Sequence, residues 1–258
     1  MPVTYASYLK VDELLSLQAP LSEGPEHDEM LFIIIHQVYE LWFKQVLHEC
    51  GLLGRSLEAK DVPASLRTFK RVLTIMKTMV AQIDVIETMT PLSFNSFRAR
   101  LESASGFQSA QFRVLEFTLG HRGKGRLAQQ PTELKPRLEA VMQKPSLWDS
   151  FVRYLSRAGH PVPASALERD ITEPTVASPE LQAVLVEVYR RDPVSAQLAE
   201  LMVDLDEGIQ EWRYRHVKMV ERTIGTKSGT GGSSGAEYLK ATLFKPLFPD
   251  LWAIRAAL

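Results

Sequence analysis

The chain has 258 residues, of which 45% are hydrophobic and 24% charged, and its formal net charge at pH 7 is −1. These values are ordinary for a globular protein, and a near-neutral chain without a dense basic patch argues against nucleic-acid binding. The single cysteine, Cys50, excludes an intramolecular disulfide and favours a reducing compartment. Because neither a signal peptide nor an apolar run of roughly 20 residues is found, we expect a soluble cytoplasmic protein that does not enter a membrane.

Helical periodicity dominates the chain, and strand signals are almost absent. A first strong helix is predicted over residues 28–50, where apolar residues cover most of the circumference, so we expect it to be central and buried. A second helix is predicted over 63–89. The Thr90-Pro91 pair ends it, because proline disfavours helical geometry in the residue before it.

Shorter helices are predicted over 92–101, 107–119, 133–143 and 147–157, and residues 162–179 are expected to form a loop. The last long helix is predicted over 194–224, followed by a glycine-rich loop and a short helix over 238–243. No repeat and no low-complexity linker is found. We therefore predict an all-α protein whose residues 1–258 form one domain of long antiparallel helices.

Two histidines lie on the apolar faces of long helices. The last long helix has a stripe with alternating spacings of four and three, which places its members on one face: Leu198, Met202, Leu205, Ile209, Trp212, His216 and Met219. His216 is thus predicted to point inward, as is His36 on the first helix. A buried imidazole needs a hydrogen-bond partner or a metal. Both could be hydrogen-bonded core residues, or a flat cofactor with a metal centre, such as haem, could lie between them.

Most familiar catalytic motifs are missing. The spacings of di-iron and Cys-x-x-Cys sites do not occur, and the glycine-rich loop at 229–235 fits neither a P-loop nor a Rossmann motif. That loop is either a helix cap with a surface loop or a donor-rich contact for an anionic or zwitterionic ligand. Arg98, amid apolar residues, could bind a substrate carboxylate, remain solvated, or pair with Glu102.

Four ungapped segments, in order, resemble the tryptophan 2,3-dioxygenase family, the haem enzymes that open the indole ring of L-tryptophan. The segments are 27–44, 91–98, 104–113 and 212–235. Residues 123–179 do not carry the resemblance, and the chain looks short for the family. Two alternatives remain: a related haem enzyme that oxygenates a modified indole or a tyrosine-like substrate, and a helical protein that binds haem or another ligand without catalysis.

The resemblance implies a haem b cofactor. His216 would be the axial ligand of the haem iron, and Trp212 would contact the cofactor from the same helix. Ser105 and Gly106 would border the distal face of the haem. The implied reaction adds both atoms of O₂ across the indole C2–C3 bond to give N-formyl-L-kynurenine, the first step of tryptophan degradation.

The resemblance also implies the residues that bind L-tryptophan. His36, implied as the catalytic residue, would accept a hydrogen bond from the indole N–H and orient the substrate more than remove a proton. The other implied substrate contacts are Phe32, Phe94, Arg98 for the carboxylate, Leu101, and Thr230 for the amino-acid end.

The N-terminal segment is implied to act in a neighbouring subunit. Tyr5, Tyr8 and Leu9 match the part of the family that closes the pocket of another copy, so residues 1–22 would pack on a neighbour. This implies a homotetramer that is a dimer of intertwined dimers.

Overall fold

A computed structural model describes residues 2–24, 26–102, 104, 108–229 and 235–258. Across these residues the chain forms helices and no strands, which confirms the predicted all-α class. Three long helices form the centre: α3 (His27–Glu58), α4 (Val62–Ile86) and α12 (Pro193–Ile224). α4 packs along both α3 and α12. The three-residue connection between α3 and α4 makes these two helices antiparallel, as predicted.

The boundaries of α3 and α4 have local causes. α3 continues eight residues beyond the prediction, because Leu53 and Leu57 are fully buried and extend its apolar face. The side chain of Asp61 accepts a hydrogen bond from the backbone N–H of Ala64 at 3.0 Å and caps the start of α4. The buried leucines thus hold the end of α3 against the core, and the Asp61 cap starts α4 soon after α3 ends.

The apolar stripe of α12 faces the interior, as its spacing predicts. Five of its seven members are buried: Leu198, Met202, Leu205, Ile209 and Trp212. His216 and Met219, the last two members, are only half-buried and line a cavity. The first part of the stripe therefore packs in the core, and its last two residues line the cavity.

Shorter helices surround this centre. Five of them flank it: α5 (Pro91–Arg98), which continues as a 3-10 turn (Ala99–Leu101), α6 (Ala110–Leu119), α8 (Lys135–Met142), α9 (Leu147–Arg157) and α13 (Ala236–Lys240). These agree with the predicted short helices to within a few residues. α9 agrees at both ends, because Ser146 and Asp149 form a capping box at its start.

Several helices were not predicted, and one prediction is wrong. Residues 162–179 are not entirely a loop, because α10 (Ala164–Leu167) forms behind Pro163. The helix α11 (Pro179–Arg191) was missed, although Ser178 caps it and Leu181, Leu185 and Val188 bury one face. The other unpredicted helices are α1 (Tyr5–Leu9), α2 (Val11–Leu15), α7 (Lys124–Ala128), α14 (Pro249–Ala253) and a terminal 3-10 turn (Ile254–Ala257).

The N-terminal helices α1 and α2 bury no residue in this protomer. The segment that follows α2 is held to α3 by Glu29, whose carboxylate accepts hydrogen bonds from the backbone N–H groups of Leu21 and Ser22 at 2.7 and 3.0 Å. Burial raises the pKa of Glu29, but the hydrogen bonds outweigh it and the net shift is downward. None of the helices in the described ranges is both long and apolar enough to cross a membrane.

Candidate active site

A mostly apolar cavity of about 270 Å³ lies between α3, α5, α6 and α12. It contains most of the residues that the sequence singled out. Those that line it are Phe32, His36, Phe94, Arg98, Leu101, Trp212 and His216. The fold therefore brings together residues that are up to 184 positions apart in the chain.

His216 enters the cavity as a neutral ring. It stacks on Trp212, one turn earlier on α12, with ring centroids 5.3 Å apart and an interplanar angle of 4°. Burial, with a smaller contribution from His36, lowers the pKa of His216 from 6.5 to about 4. Among the residues that the structure describes, no group forms a hydrogen bond with its ring. A neutral imidazole nitrogen with a free lone pair is what a metal ion requires of a histidine.

His36 is held in one tautomer by its own helix. Its Nδ1 lies 2.7 Å from the carbonyl oxygen of Phe32, and because a carbonyl can only accept, Nδ1 carries the proton and donates. Burial lowers the pKa of His36, partly offset by the Phe32 hydrogen bond and by Glu40. The ring is neutral at pH 7, so Nε2 is a hydrogen-bond acceptor.

Aromatic rings form the wall beside His36. The ring of Phe32 lies 4.2 Å from that of His36 and 5.7 Å from that of Phe94, measured between centroids. Phe97 supports both phenylalanines from behind and is fully buried. Tilted and edge-on rings at these distances make an apolar, aromatic surface that suits another aromatic ring.

Arg98 supplies a positive charge at the other end of this aromatic wall. Its Nη2 donates to the backbone oxygen of Ser228 at 2.5 Å. The possible pairing with Glu102 does not occur, and within the described ranges no carboxylate forms an ion pair with Arg98. The guanidinium therefore retains donors and a charge that a carboxylate ligand could use.

A buried charge cluster in the cavity wall was not anticipated from the sequence. Glu116 accepts from Arg113 at 2.6 Å and from Arg213 at 2.7 Å, and all three residues are at most 7% exposed. The two arginines outweigh burial and hold the pKa of Glu116 below its ordinary value. The only indication of this cluster in the local sequence was the i,i+3 spacing of Arg113 and Glu116, which allows the two side chains to pair on one helix. Arg213 comes from a different helix.

The remaining predicted site residues form two groups. Ser105, Gly106 and Thr230 lie outside the described residues. Tyr5, Tyr8 and Leu9 are 78%, 76% and 45% exposed and do not line the cavity of their own protomer. Their roles stay predictions.

The chain is similar to known proteins of one family. The family model for tryptophan 2,3-dioxygenase matches residues 1–144 and 176–258. A tryptophan 2,3-dioxygenase of Herpetosiphon aurantiacus is 61% identical over 259 residues, which cover 99% of this chain and 98% of the relative. One from Anaeromyxobacter dehalogenans is 58% identical, covering 99% of this chain and 96% of the relative. One from Caulobacter vibrioides is 45% identical, covering 99% and 98%.

These comparisons correct two expectations. The chain is not short relative to these three proteins, since each is covered almost completely. The family model passes over residues 145–175 only, so the expectation that residues 123–179 carry no resemblance is wrong for 123–144 and 176–179. The match on both sides of that segment spans most of the chain, so the protein belongs to the tryptophan 2,3-dioxygenase family.

Proposed function

We propose that the protein uses haem b and O₂ to convert L-tryptophan into N-formyl-L-kynurenine. The family name identifies a dioxygenase that acts on tryptophan. The observation that carries the finer proposal is the content of one cavity: an unpartnered neutral imidazole at His216, an acceptor imidazole at His36, and a guanidinium at Arg98.

The donor set of the cavity suits haem better than a metal ion held by side chains alone. Within the described ranges, no group of three or more His, Cys, Asp or Glu residues could hold a metal ion. A lone histidine therefore needs a cofactor that supplies the other ligands, as a porphyrin does. His216 would be the axial ligand, and Trp212 would support its ring by stacking.

The charges of the cavity wall also fit haem. Arg213 is buried in the cavity wall, where it shares the carboxylate of Glu116 with Arg113. Nη1 of Arg213 is buried and has no hydrogen-bond partner among the described residues. An unsatisfied buried guanidinium N–H is unfavourable, and a haem propionate would supply the missing acceptor. The residues present therefore fit the cofactor.

The other cavity residues would orient the substrate. Arg98 would pair with the carboxylate of L-tryptophan, and Thr230 would contact its amino-acid end. The rings of Phe32 and Phe94, with Leu101 beside them, would pack on the indole. Nε2 of His36 would accept a hydrogen bond from the indole N–H, because Nδ1 already donates to the carbonyl oxygen of Phe32. These contacts fix both ends of the substrate.

Such positioning is the contribution that the protein makes to the reaction. Haem iron, when bound, supplies the binding and activation of O₂. The side chains hold the indole C2–C3 bond in one place and exclude water from it. Both oxygen atoms of O₂ enter the product, so no external reductant is consumed in the turnover. Ser105 and Gly106 would border the distal face of the haem.

The proposed assembly is a homotetramer of intertwined dimers, and the exposed N-terminal helices support contact with a neighbouring copy. Tyr5 and Tyr8 leave most of their surface uncovered in the protomer, which is costly for large apolar side chains unless another chain covers them. We place Tyr5, Tyr8 and Leu9 against the pocket of a neighbouring subunit. Cys50, the single cysteine, is buried and reduced, which supports a cytoplasmic location.

The test is an assay of the purified protein with L-tryptophan, ascorbate and air. We expect a haem Soret band and the appearance of N-formylkynurenine absorbance. His216→Ala should abolish stable haem binding, whereas the exposed His48→Ala should bind haem normally. A Soret band without product would indicate a haem-binding protein without this activity. A wild-type Soret band in His216→Ala would refute the axial ligand.

A further inference from the structure

The end of the glycine-rich loop, at Gly235, lies directly against the start of the loop. A β-carbon at Gly235 would lie 2.6 Å from the backbone oxygen of Lys227 and 3.5 Å from the backbone nitrogen of Gly229. The first distance is far shorter than a van der Waals contact of about 3.5 Å. Only glycine permits this approach. The two ends of the loop are therefore pressed together, and we call Lys227, Ser228 and Gly235 the loop base.

The loop base is joined to α5 by two side chains. Arg98 donates to the backbone oxygen of Ser228 at 2.5 Å, and Nζ of Lys227 donates to Oδ1 of Asn95 at 3.4 Å. Gly229 and Gly235 both line the cavity. The guanidinium of Arg98 is thus oriented by the carbonyl of Ser228. Ser228 directly follows Lys227, and Gly235 packs against the backbone of Lys227.

We propose that Gly235 is a positioning residue for substrate binding, because its close approach to Lys227 holds the Ser228 carbonyl where it aims Arg98 at the substrate carboxylate. A side chain at Gly235 would push the loop base apart at the backbone, where no flexible group can move instead. The Ser228 carbonyl would shift, and the guanidinium would lose its fixed orientation. This inference rests on the proposed role of Arg98.

A matched control exists ten residues earlier. Gly225 has φ 60° and ψ −127°, nearly the same backbone conformation as Gly235, with φ 63° and ψ −129°. A β-carbon at Gly225, however, would meet nothing within 4 Å. Substituting alanine at either position imposes the same strain from a positive φ. Only Gly235→Ala adds the collision with the loop base.

The experiment measures KM for L-tryptophan, with calorimetric binding of L-tryptophan and of tryptamine, on the haem-loaded variants. Gly235→Ala should weaken L-tryptophan binding on the order of 10-fold or more, whereas Gly225→Ala should stay within about threefold of wild type. Tryptamine lacks the carboxylate, so its affinity should change equally little in both variants. Gly235→Ala added to Arg98→Ala should have no further effect, because the two act through one contact.

Each outcome is decisive. If Gly235→Ala and Gly225→Ala behave alike, or if tryptamine binding falls as much as tryptophan binding, the positioning role is wrong. If Arg98→Ala itself leaves tryptophan binding unchanged, Arg98 does not bind the substrate carboxylate, and its proposed function is wrong. Should Gly235→Ala lose haem or fold poorly, Lys227→Met tests the same loop base by removing its contact with Asn95. Unchanged tryptophan binding in that variant overturns the inference.

Discussion

The role of His36 can be decided by the size of the effect of replacing it. Its Nδ1 donates to Phe32, so Nε2 has an open lone pair at neutral pH. That lone pair could accept the indole N–H as a hydrogen bond, or it could remove the proton as a general base. A neutral hydrogen bond contributes about 0.5–1.5 kcal/mol, which is about 2- to 13-fold, whereas general base catalysis contributes about 10²- to 10⁴-fold.

We expect the smaller effect. His36→Ala removes both the acceptor and a ring that lies 4.2 Å from Phe32, and the aromatic contact adds about 0.5–1.5 kcal/mol. Together these predict a loss in kcat/KM of roughly 10- to 100-fold, mostly through KM. His36→Gln is the sharper variant, because its amide oxygen can accept a hydrogen bond but cannot act as a base.

Steady-state kinetics with N-formylkynurenine absorbance measures both variants. His36→Gln should retain kcat/KM within about 10-fold of wild type, since a neutral acceptor remains. If His36→Gln instead loses as much as His36→Ala, and the loss is 10³-fold or more in kcat, His36 is a base and the orienting role is refuted. An unchanged haem spectrum in both variants shows that the cavity is intact.

Three further predictions concern stability and assembly. Glu116→Gln should lower the unfolding free energy of the haem-free protein by about 3–5 kcal/mol, because it removes the buried carboxylate that the guanidinium groups of Arg113 and Arg213 both contact. Glu221→Gln, which also removes a partner of two cations but at the surface, should cost much less; equal losses in denaturant titrations would contradict the argument. Burial lowers the pKa of His121 from 6.5 to about 3. The contribution of His121 to stability should therefore be complete above pH 6.5 and fall by roughly 4–5 kcal/mol toward pH 3, as the unfolded chain takes up a proton that the folded one resists. His121→Gln should flatten that slope, and an unchanged slope would exclude His121 as its cause. Deletion of residues 1–9 should reduce kcat/KM while the Soret band is retained, and full activity would exclude closure of the pocket by a neighbour.

Much of the candidate site was accessible from the sequence, for two different reasons. The inward direction of His216 follows from helical spacing, because side chains three and four positions apart share a face. The placement of Arg98 and Phe94 came from the family resemblance, and the structure brings both to the cavity. The hydrogen bond from His36 to Phe32 is local, four residues along one helix. Spacing alone did not reveal it, because it depends on the rotamer of the ring.

What the sequence missed has a common cause. The helix α11 (Pro179–Arg191) follows a proline-rich stretch that masked its start, although Ser178 supplies an ordinary cap. The pair of Arg213 and Glu116 joins residues 97 positions apart. Nothing in the neighbourhood of either residue indicates which partner it will meet.

The all-α class, the long helices and the faces that those helices bury follow from the residue pattern, because helix period and side-chain hydrophobicity act between near neighbours. Which charges meet depends instead on the packed fold. It placed Glu116 between Arg113 and Arg213, and it left Arg98 with a backbone carbonyl from a residue 130 positions away. Such contacts depend on how helices pack against one another, and electrostatic strength depends on the burial that this packing creates.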